Sequence, residues 1–203
     1  MTASIAADIR ASVEATPVGA FIRSADVPGP RAAVNTALSR LVKAGQLVRV
    51  RNGLYWKGVT SRFGTGRPGL LDAAIAAAGI DGAGPSGWSA THALGLSTQL
   101  PAMPEVAVAG PVPSFEGVRF HKRNNLVRRN LGFWEIALLE ALRSYPAYAE
   151  VGLDELASSA CSLSAEGKVR LPSLESAARS ERSPALRRNL AAVLERLPGN
   201  MAQ

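Results

Sequence analysis

Apolar residues at helical spacing mark the start of the chain. Ile5, Ile9 and Val13 recur four residues apart, which predicts a first helix with one apolar stripe. A short apolar stretch, 20–22, leads to Ser24, which can cap a short second helix because its side-chain oxygen can accept a backbone N–H. A proline-rich turn, Pro28–Pro30, then separates this segment from the next predicted helix.

A third helix is predicted from about Arg31 to Ala44, and its two faces differ in chemistry. Val34, Leu38, Leu41 and Val42 fall on one face, which must therefore pack inward. The opposite face is rich in donors and free of acids: Arg31, Asn35, Thr36, Ser39, Arg40 and Lys43. Asn can pair with adenine edges, Arg with guanine, and Ser or Thr with bases or phosphates. A solvated basic face is the alternative, although such faces usually mix Glu with Lys.

Two short strands are predicted after this helix. They cover 47–50 and 53–56, and the Asn-Gly pair between them is typical of a tight hairpin turn. The hairpin carries three polar side chains that can reach a minor groove or phosphates: Arg49, Arg51 and Asn52. The order helix, turn, helix, basic hairpin predicts an N-terminal winged helix-turn-helix.

The distribution of charge supports a nucleic-acid partner. Of the 23 Lys/Arg and 16 Asp/Glu, ten bases and three acids lie in residues 1–67, which leaves 13 of each in 68–203. The formal net charge of +7 therefore belongs to the first third of the chain. A localised positive potential attracts a polyanion, and release of condensed counterions makes the binding favourable and salt-dependent. Double-stranded DNA is the expected partner.

The rest of the chain predicts a larger C-terminal domain of mixed α/β class in which helices predominate. A Gly- and Arg-rich stretch at 58–68 interrupts the apolar pattern and indicates a boundary or hinge. We therefore expect a DNA-binding domain over 1–62, a linker over 63–69 and a second, interaction domain over 70–203. Its strands are expected at 105–109 and 118–121, and its helices at 70–78, 88–96, 133–142, 153–162 and 186–197.

Two segments resemble one protein family. Val34–Tyr55 (VNTALSRLVKAGQLVRVRNGLY) resembles the N-terminal winged helix of the AbiEi-type antitoxins, in which a helix with a Leu-x-x-Leu ending runs into Gly, a short strand and a wing closing on Gly-x-Tyr. Ser89–Pro101 (SATHALGLSTQLP) resembles part of that family's C-terminal region. The similarity covers about 21–144. Many regulators share the winged-helix motif, and its combination with the second segment is more specific.

The resemblance implies two roles. AbiEi-type antitoxins repress their own promoter through the N-terminal domain and neutralise a nucleotidyltransferase-type toxin through the C-terminal domain. The chain is then expected to be the antitoxin and transcriptional autorepressor of a type IV toxin–antitoxin operon. Its DNA-reading residues would be those of the third helix and the hairpin given above. The alternative is a winged-helix regulator whose second domain senses a small ligand and has no toxin partner.

A second group of bases interrupts the otherwise neutral second domain. No acid stands between Glu116 and Glu135, whereas five bases do: Arg119, Lys122, Arg123, Arg128 and Arg129. Three interpretations stay open for this group. It can be a second contact with the DNA backbone, a solvated loop after a strand, or a patch that meets the acidic active site of a nucleotidyltransferase.

The sequence gives little support to catalysis. Ser89 and His92 stand three residues apart on a predicted helix, but an orienting carboxylate is missing, and this arrangement more often serves packing and capping. Glu135 and Glu140 are expected to be exposed charges rather than an acid/base pair. We therefore expect a protein that is not an enzyme, with a nuclease guided by the winged helix as the rival interpretation.

Metal, cofactor and membrane sites are not expected either. His92 and His121 are the only histidines and have no ligand cluster at metal-binding spacing. The Gly-rich segment 64–66 lacks the Gly-Lys-Ser/Thr ending of a phosphate loop. Cys161, the one cysteine, cannot form an internal disulfide, which fits a reducing cytoplasm. No apolar run approaches the roughly 20 residues that span a bilayer, and residues 1–10 lack a secretory signal.

Overall fold

Helices and small sheets alternate along the chain, which is of the expected mixed α/β class with helices predominating. The computed structural model describes residues 2–79 and 81–197. The chain divides between Ala77 and Ala78 into two units. The segment 63–69, predicted as a linker, lies within the first unit.

The first unit is built on a three-stranded antiparallel sheet with strand order β1-β3-β2. In register, Phe21 lies opposite Trp56, and Arg49 lies opposite Tyr55. Two further short strands form a separate hairpin, in which the Thr65 hydroxyl donates to the Gly45 carbonyl. The elements in chain order are α1 (Thr2–Ala15), β1 (Ala20–Arg23), α2 (Arg31–Lys43), β2 (Val48–Arg51), β3 (Leu54–Lys57), β4 (Thr60–Ser61), β5 (Gly64–Thr65) and α3 (Leu70–Ala78).

The core of the first unit forms where the apolar stripes of α1 and α2 meet the sheet. Ile9 and Leu38 are 0% exposed, and both belong to one cluster of buried side chains. Its other buried members are Val13, Ile22, Val27, Val34, Leu41, Leu47 and Tyr55. The predicted inward faces of both helices are confirmed.

The short helix expected after Ser24 is replaced by a hydrogen-bonded turn. The amide of Asp26 donates to the carbonyl of Arg23 at 3.0 Å. Only Ser24–Val27 separates β1 from Pro28, and Pro28 and Pro30 have no N–H with which a helix could continue. The prediction of a helix here is wrong because the proline-rich segment overrides the capping signal.

The second unit surrounds one buried helix. Its elements in chain order are β6 (Ala83–Pro85), α4 (Gly87–Ala93), β7 (Glu105–Val108), β8 (Arg119–Lys122), a 3₁₀ turn (Leu126–Asn130), α5 (Phe133–Ser144), α6 (Leu153–Ala165), α7 (Leu171–Arg179) and α8 (Pro184–Glu195). The β6 strand pairs antiparallel with β7, and β7 pairs parallel with β8. The α5 helix packs against α4, β6 and α8, and every residue from Glu135 to Leu142 is buried. Across the described residues, no helix is both long and apolar enough to cross a membrane.

Candidate nucleic-acid interface

The outward face of α2 carries the polar side chains that the sequence places opposite its apolar face. Val34 is 1% exposed and Leu38 is fully buried, so the inward face is fixed by packing. The outward side chains are exposed, and five of them line one shallow depression: Asn35, Thr36, Ser39, Arg40 and Lys43. The structure thus brings these five predicted contact residues together on one surface.

Two of the predicted contact residues are also held by the chain's own backbone. Arg31 Nη1 donates to the carbonyl of Ser24 at 2.9 Å, which ties the first turn of α2 to the segment before it. The Thr36 hydroxyl donates to the carbonyl of Ala32 at 2.8 Å. A guanidinium has five N–H donors and a hydroxyl oxygen has two lone pairs. Both side chains therefore keep bonding capacity for a second molecule.

The β2–β3 hairpin presents Arg49, Arg51 and Asn52, all of which are exposed. The pairing register shifts between Arg49 and Arg51, and Gly53 adopts a positive φ of 75° that favours glycine in the turn. Arg49 Nη2 donates to Asn52 Oδ1 at 2.9 Å, so the two side chains lie side by side at the tip.

The backbone of Ser24 links the hairpin to α2. Its amide donates to the carbonyl of Gly53 at 2.9 Å, while its carbonyl accepts the guanidinium of Arg31. Since one residue holds both the start of α2 and the hairpin turn, the two predicted contact regions are fixed relative to each other within the first unit. A rigid arrangement of this kind suits contacts made by several side chains at once.

The cations of this surface form no ion pair with a carboxylate in the part of the chain that the structure describes. None of the ion pairs between described residues engages a cation of α2 or of the hairpin. Arg40, Lys43 and Arg51 are all exposed. Exposed like charges that lack partners create a positive potential, which attracts anions and raises the rate of encounter with them.

The structure separates the five bases of 119–129 into two kinds. Arg119, Lys122 and Arg129 are exposed. Arg128 is 0% exposed and cannot contact a second molecule. Arg123 is half-buried, and its Nε and Nη2 donate to Glu140 at 2.9 and 2.5 Å. Only the three exposed bases remain candidates for the second contact that the sequence suggests.

A buried ionic network accounts for Arg128. Its Nη1 donates to Glu140 at 2.6 Å and its Nε donates to Glu181 at 2.5 Å. Glu181 also accepts from Arg143. Glu140 also accepts from the Ser86 hydroxyl at 2.7 Å. Burial opposes ionisation of Glu140, but the hydrogen bond from Arg123 and the charges of Arg128 and Arg123 outweigh it and hold its pKa at about 2.

The two glutamates of α5 are therefore not exposed charges, and that prediction is wrong. Glu140 is 0% exposed and Glu135 is 2% exposed. Glu135 accepts the amide of Gly132 at 2.7 Å and three donors of Arg170, so it joins the start of α5 to the start of α7. These roles could not be predicted from the sequence because the Arg partners are distant in the chain. A glutamate in a predicted helix is by itself typical of an exposed helix surface.

Ser89 and His92 are not brought together as a catalytic pair. His92 is exposed, whereas the buried hydroxyl of Ser89 accepts the amide of Glu105 at 2.9 Å. The carboxylate of Glu105 instead meets His121 Nε2 at 2.6 Å across the parallel β7–β8 pair. Among residues 2–79 and 81–197, no three His, Cys, Asp or Glu side chains gather where they could hold a metal ion.

Sequence comparison places the chain in a family. No curated protein matches it. The family model of the Family of unknown function (DUF6088) matches residues 9–114, which is just over half of the chain. The match begins in α1, includes all of α2 and the β2–β3 hairpin, and ends between β7 and β8. The chain therefore belongs to DUF6088, a family of unknown function.

Proposed function

We propose that the chain binds double-stranded DNA through a winged helix-turn-helix made of α1, α2 and the β2–β3 hairpin. The observation that carries the proposal is the outward face of α2, where polar and basic side chains share one depression without an acid. Base edges and phosphates offer many acceptors, and Asn, Arg, Lys, Ser and Thr supply matching donors. The net charge of the chain, concentrated in residues 1–67, supports the same partner.

The order of elements supports a winged helix-turn-helix. The α1, β1 and α2 elements are followed by a hairpin that pairs onto β1. The turn at Ser24–Asp26 stands in place of a middle helix and holds both contact regions through the backbone of Ser24. The 13 residues of α2 give a length of about 20 Å. A major groove about 12 Å wide admits one such helix, with the hairpin on the adjacent backbone or minor groove.

The biological setting that we propose is a type IV toxin–antitoxin operon. The chain would repress its own promoter and neutralise a nucleotidyltransferase-type toxin, as its resemblance to the AbiEi-type antitoxins implies. Co-expression of the chain with the product of a neighbouring nucleotidyltransferase gene tests the second role. Restored growth supports it, and growth arrest that persists despite production of the folded chain contradicts it.

Binding of the purified full chain to the duplex upstream of its own gene, compared with a scrambled duplex, tests the first role. We expect preference for the upstream duplex and a steep loss of affinity as salt rises. The Arg40→Gln/Lys43→Gln variant should lose binding, whereas Arg67→Gln/Arg62→Gln, with the same charge change outside α2 and the β2–β3 hairpin, should keep most of it. Equal loss in both variants would show that α2 is not the reading element.

Single substitutions separate base reading from phosphate contact. Lys43→Gln should weaken both duplexes alike and reduce the salt slope by about one. Asn35→Ala should cost about 1–3 kcal/mol on the upstream duplex alone. If Asn35→Ala weakens both duplexes equally, Asn35 does not read a base.

A further inference from the structure

A polar cleft of about 400 Å³ lies in the second unit. It is formed where the end of β8 and the 3₁₀ turn meet α5 and the segment between α7 and α8. Cations and amides dominate its lining: Lys122, Arg123, Asn124, Asn125, Arg143 and Arg182. The sole acid that lines it is Glu181.

Positive charge exceeds negative charge around this cleft. Glu181 is engaged by Arg128 and Arg143, and Glu140 behind it is engaged by Arg123 and Arg128. These two carboxylates face five cations: Lys122, Arg123, Arg128, Arg143 and Arg182. Five positive and two negative charges leave a net charge of +3, and two of the cations, Lys122 and Arg182, pair with no carboxylate among the described residues. A concave site with excess positive charge concentrates anions.

Two buried guanidinium nitrogens in this group also lack acceptors. Arg143 Nε and Arg128 Nη2 meet no hydrogen-bond acceptor among the residues that the structure describes. Burial is the largest influence on Arg143 and lowers the pKa of its guanidinium, since Glu140 and Glu181 offset that effect only in part. Buried donors without partners are costly. Arg143 lines the cleft, so an anionic ligand there can supply oxygen atoms to its guanidinium, whereas the fully buried Arg128 does not line the cleft.

We propose that this cleft binds the phosphate group of a small ligand. Lys122 and Arg182 are exposed and pair with no carboxylate among the described residues, so they can contact the phosphate directly. Asn124 is exposed beside them and adds an amide donor. A phosphate group matches the excess charge better than a carboxylate does because it carries up to two negative charges and more acceptor oxygens. The volume and concave shape suit a small molecule.

Titration calorimetry on the full chain, with pyrophosphate and ATP as separate probes at constant ionic strength, tests the proposal. Lys122→Gln/Arg182→Gln removes the two unpaired cations and leaves the buried network intact. We expect it to bind pyrophosphate at least tenfold more weakly. The matched control is Arg179→Gln/Arg188→Gln, which removes two exposed charges that do not line the cleft. It should change the affinity less than twofold, and circular dichroism should show native helix content in both variants.

The outcomes separate the sources of the phosphate group. Tighter binding of ATP than of pyrophosphate, with the same loss in the cleft variant, identifies a nucleotide. Binding of pyrophosphate alone identifies a free oxyanion. The proposal is overturned if the wild-type chain binds neither probe, or if both variants lose affinity equally. It is also overturned if the cleft variant weakens binding of duplex DNA but not of pyrophosphate, since the cleft would then be a DNA contact. The outcomes with pyrophosphate and ATP do not depend on DNA binding by α2.

Discussion

Glu140→Gln tests the strongest electrostatic feature of the molecule. The substitution keeps the size of the side chain and removes its charge. Glu140 is 0% exposed and accepts two hydrogen bonds from Arg123, one from Arg128 and one from Ser86. Arg128 is equally buried, so it would keep its charge in the core with Glu181 as its remaining carboxylate partner. The side-chain NH2 of glutamine is a hydrogen-bond donor, and it would face the donors that Glu140 accepts from in the wild-type chain.

Two routes give a similar magnitude for this change. Removing one partner of a buried ion pair costs roughly 3–5 kcal/mol because the other charge stays buried. The pKa of Glu140 falls from 4.5 to about 2, and at about 1.36 kcal/mol per unit this difference corresponds to about 3 kcal/mol. We therefore expect Glu140→Gln to reduce the free energy of unfolding of the second unit by about 3 kcal/mol.

Hydrogen exchange along α5 measures this free energy for the second unit alone. Protection of the α5 amides should fall by roughly 100-fold, since 1.4 kcal/mol corresponds to a factor of ten. Glu195→Gln, at an exposed position on α8, removes the same charge and should leave the α5 protection nearly unchanged. A fall of less than tenfold for Glu140→Gln would refute the argument, because the network would then contribute little to stability.

The same network predicts that the stability of the second unit depends on pH. Because the pKa of Glu140 is lower in the folded chain, its carboxylate stabilises the fold above pH 4.5, and this contribution is lost as the pH falls towards 2. The difference in unfolding free energy between wild type and Glu140→Gln should therefore shrink across this range. If the difference in unfolding free energy stays constant with pH, the charge of Glu140 does not contribute to the stability of the fold.

Three further substitutions test packing and capping. Gly84→Ala should destabilise the second unit by about 1–3 kcal/mol in urea unfolding, because the added Cβ would stand 2.7 Å from the side chain of Ile136. An unchanged free energy of unfolding would mean that α5 can shift to make room. Leu38→Ala should cost about 2–5 kcal/mol in the same assay, because Leu38 is fully buried in the core of the first unit. Lys57→Met should speed hydrogen exchange at the end of α1, since Lys57 Nζ donates there to three carbonyls at 2.6–2.9 Å. Unchanged exchange would contradict a capping role.

Local pattern predicts much of the first unit. Spacing of four residues from Ile5 to Val13, and of four and three residues from Val34 to Leu41, locates α1 and the inward face of α2, and Asn52-Gly53 locates the hairpin turn. These features depend on residues close in the chain, which a sequence shows directly. The apolar stretch 20–22 lies in β1. It could not be predicted as a strand because its pairing partner, β3, follows more than thirty positions later in the chain.

Elements that depend on contacts with residues distant in the chain could not be predicted from the sequence. The α7 helix begins after Arg170, whose amide and guanidinium bind Glu135 from α5, and its buried residues are one leucine and two alanines. The β6 strand contains Gly84 and Pro85, which both disfavour strands. It forms because Gly84 allows the close approach of Ile136 and because β7 supplies its pairing partner. Neither cause is visible in a local window of sequence.

The bases of 119–129 show why charge counted along a chain does not give surface charge. Arg128 stands one residue from Arg129 in the sequence, yet Arg128 is fully buried and Arg129 is exposed. The difference arises from Glu140 and Glu181, which are carried into the core by α5 and by the segment after α7. None of the ion pairs between described residues engages a cation of α2. Because a partnered cation stabilises the fold and an unpartnered one is available to an anion, Arg123 and Arg128 call for tests of stability, and the exposed cations of α2 call for tests of binding.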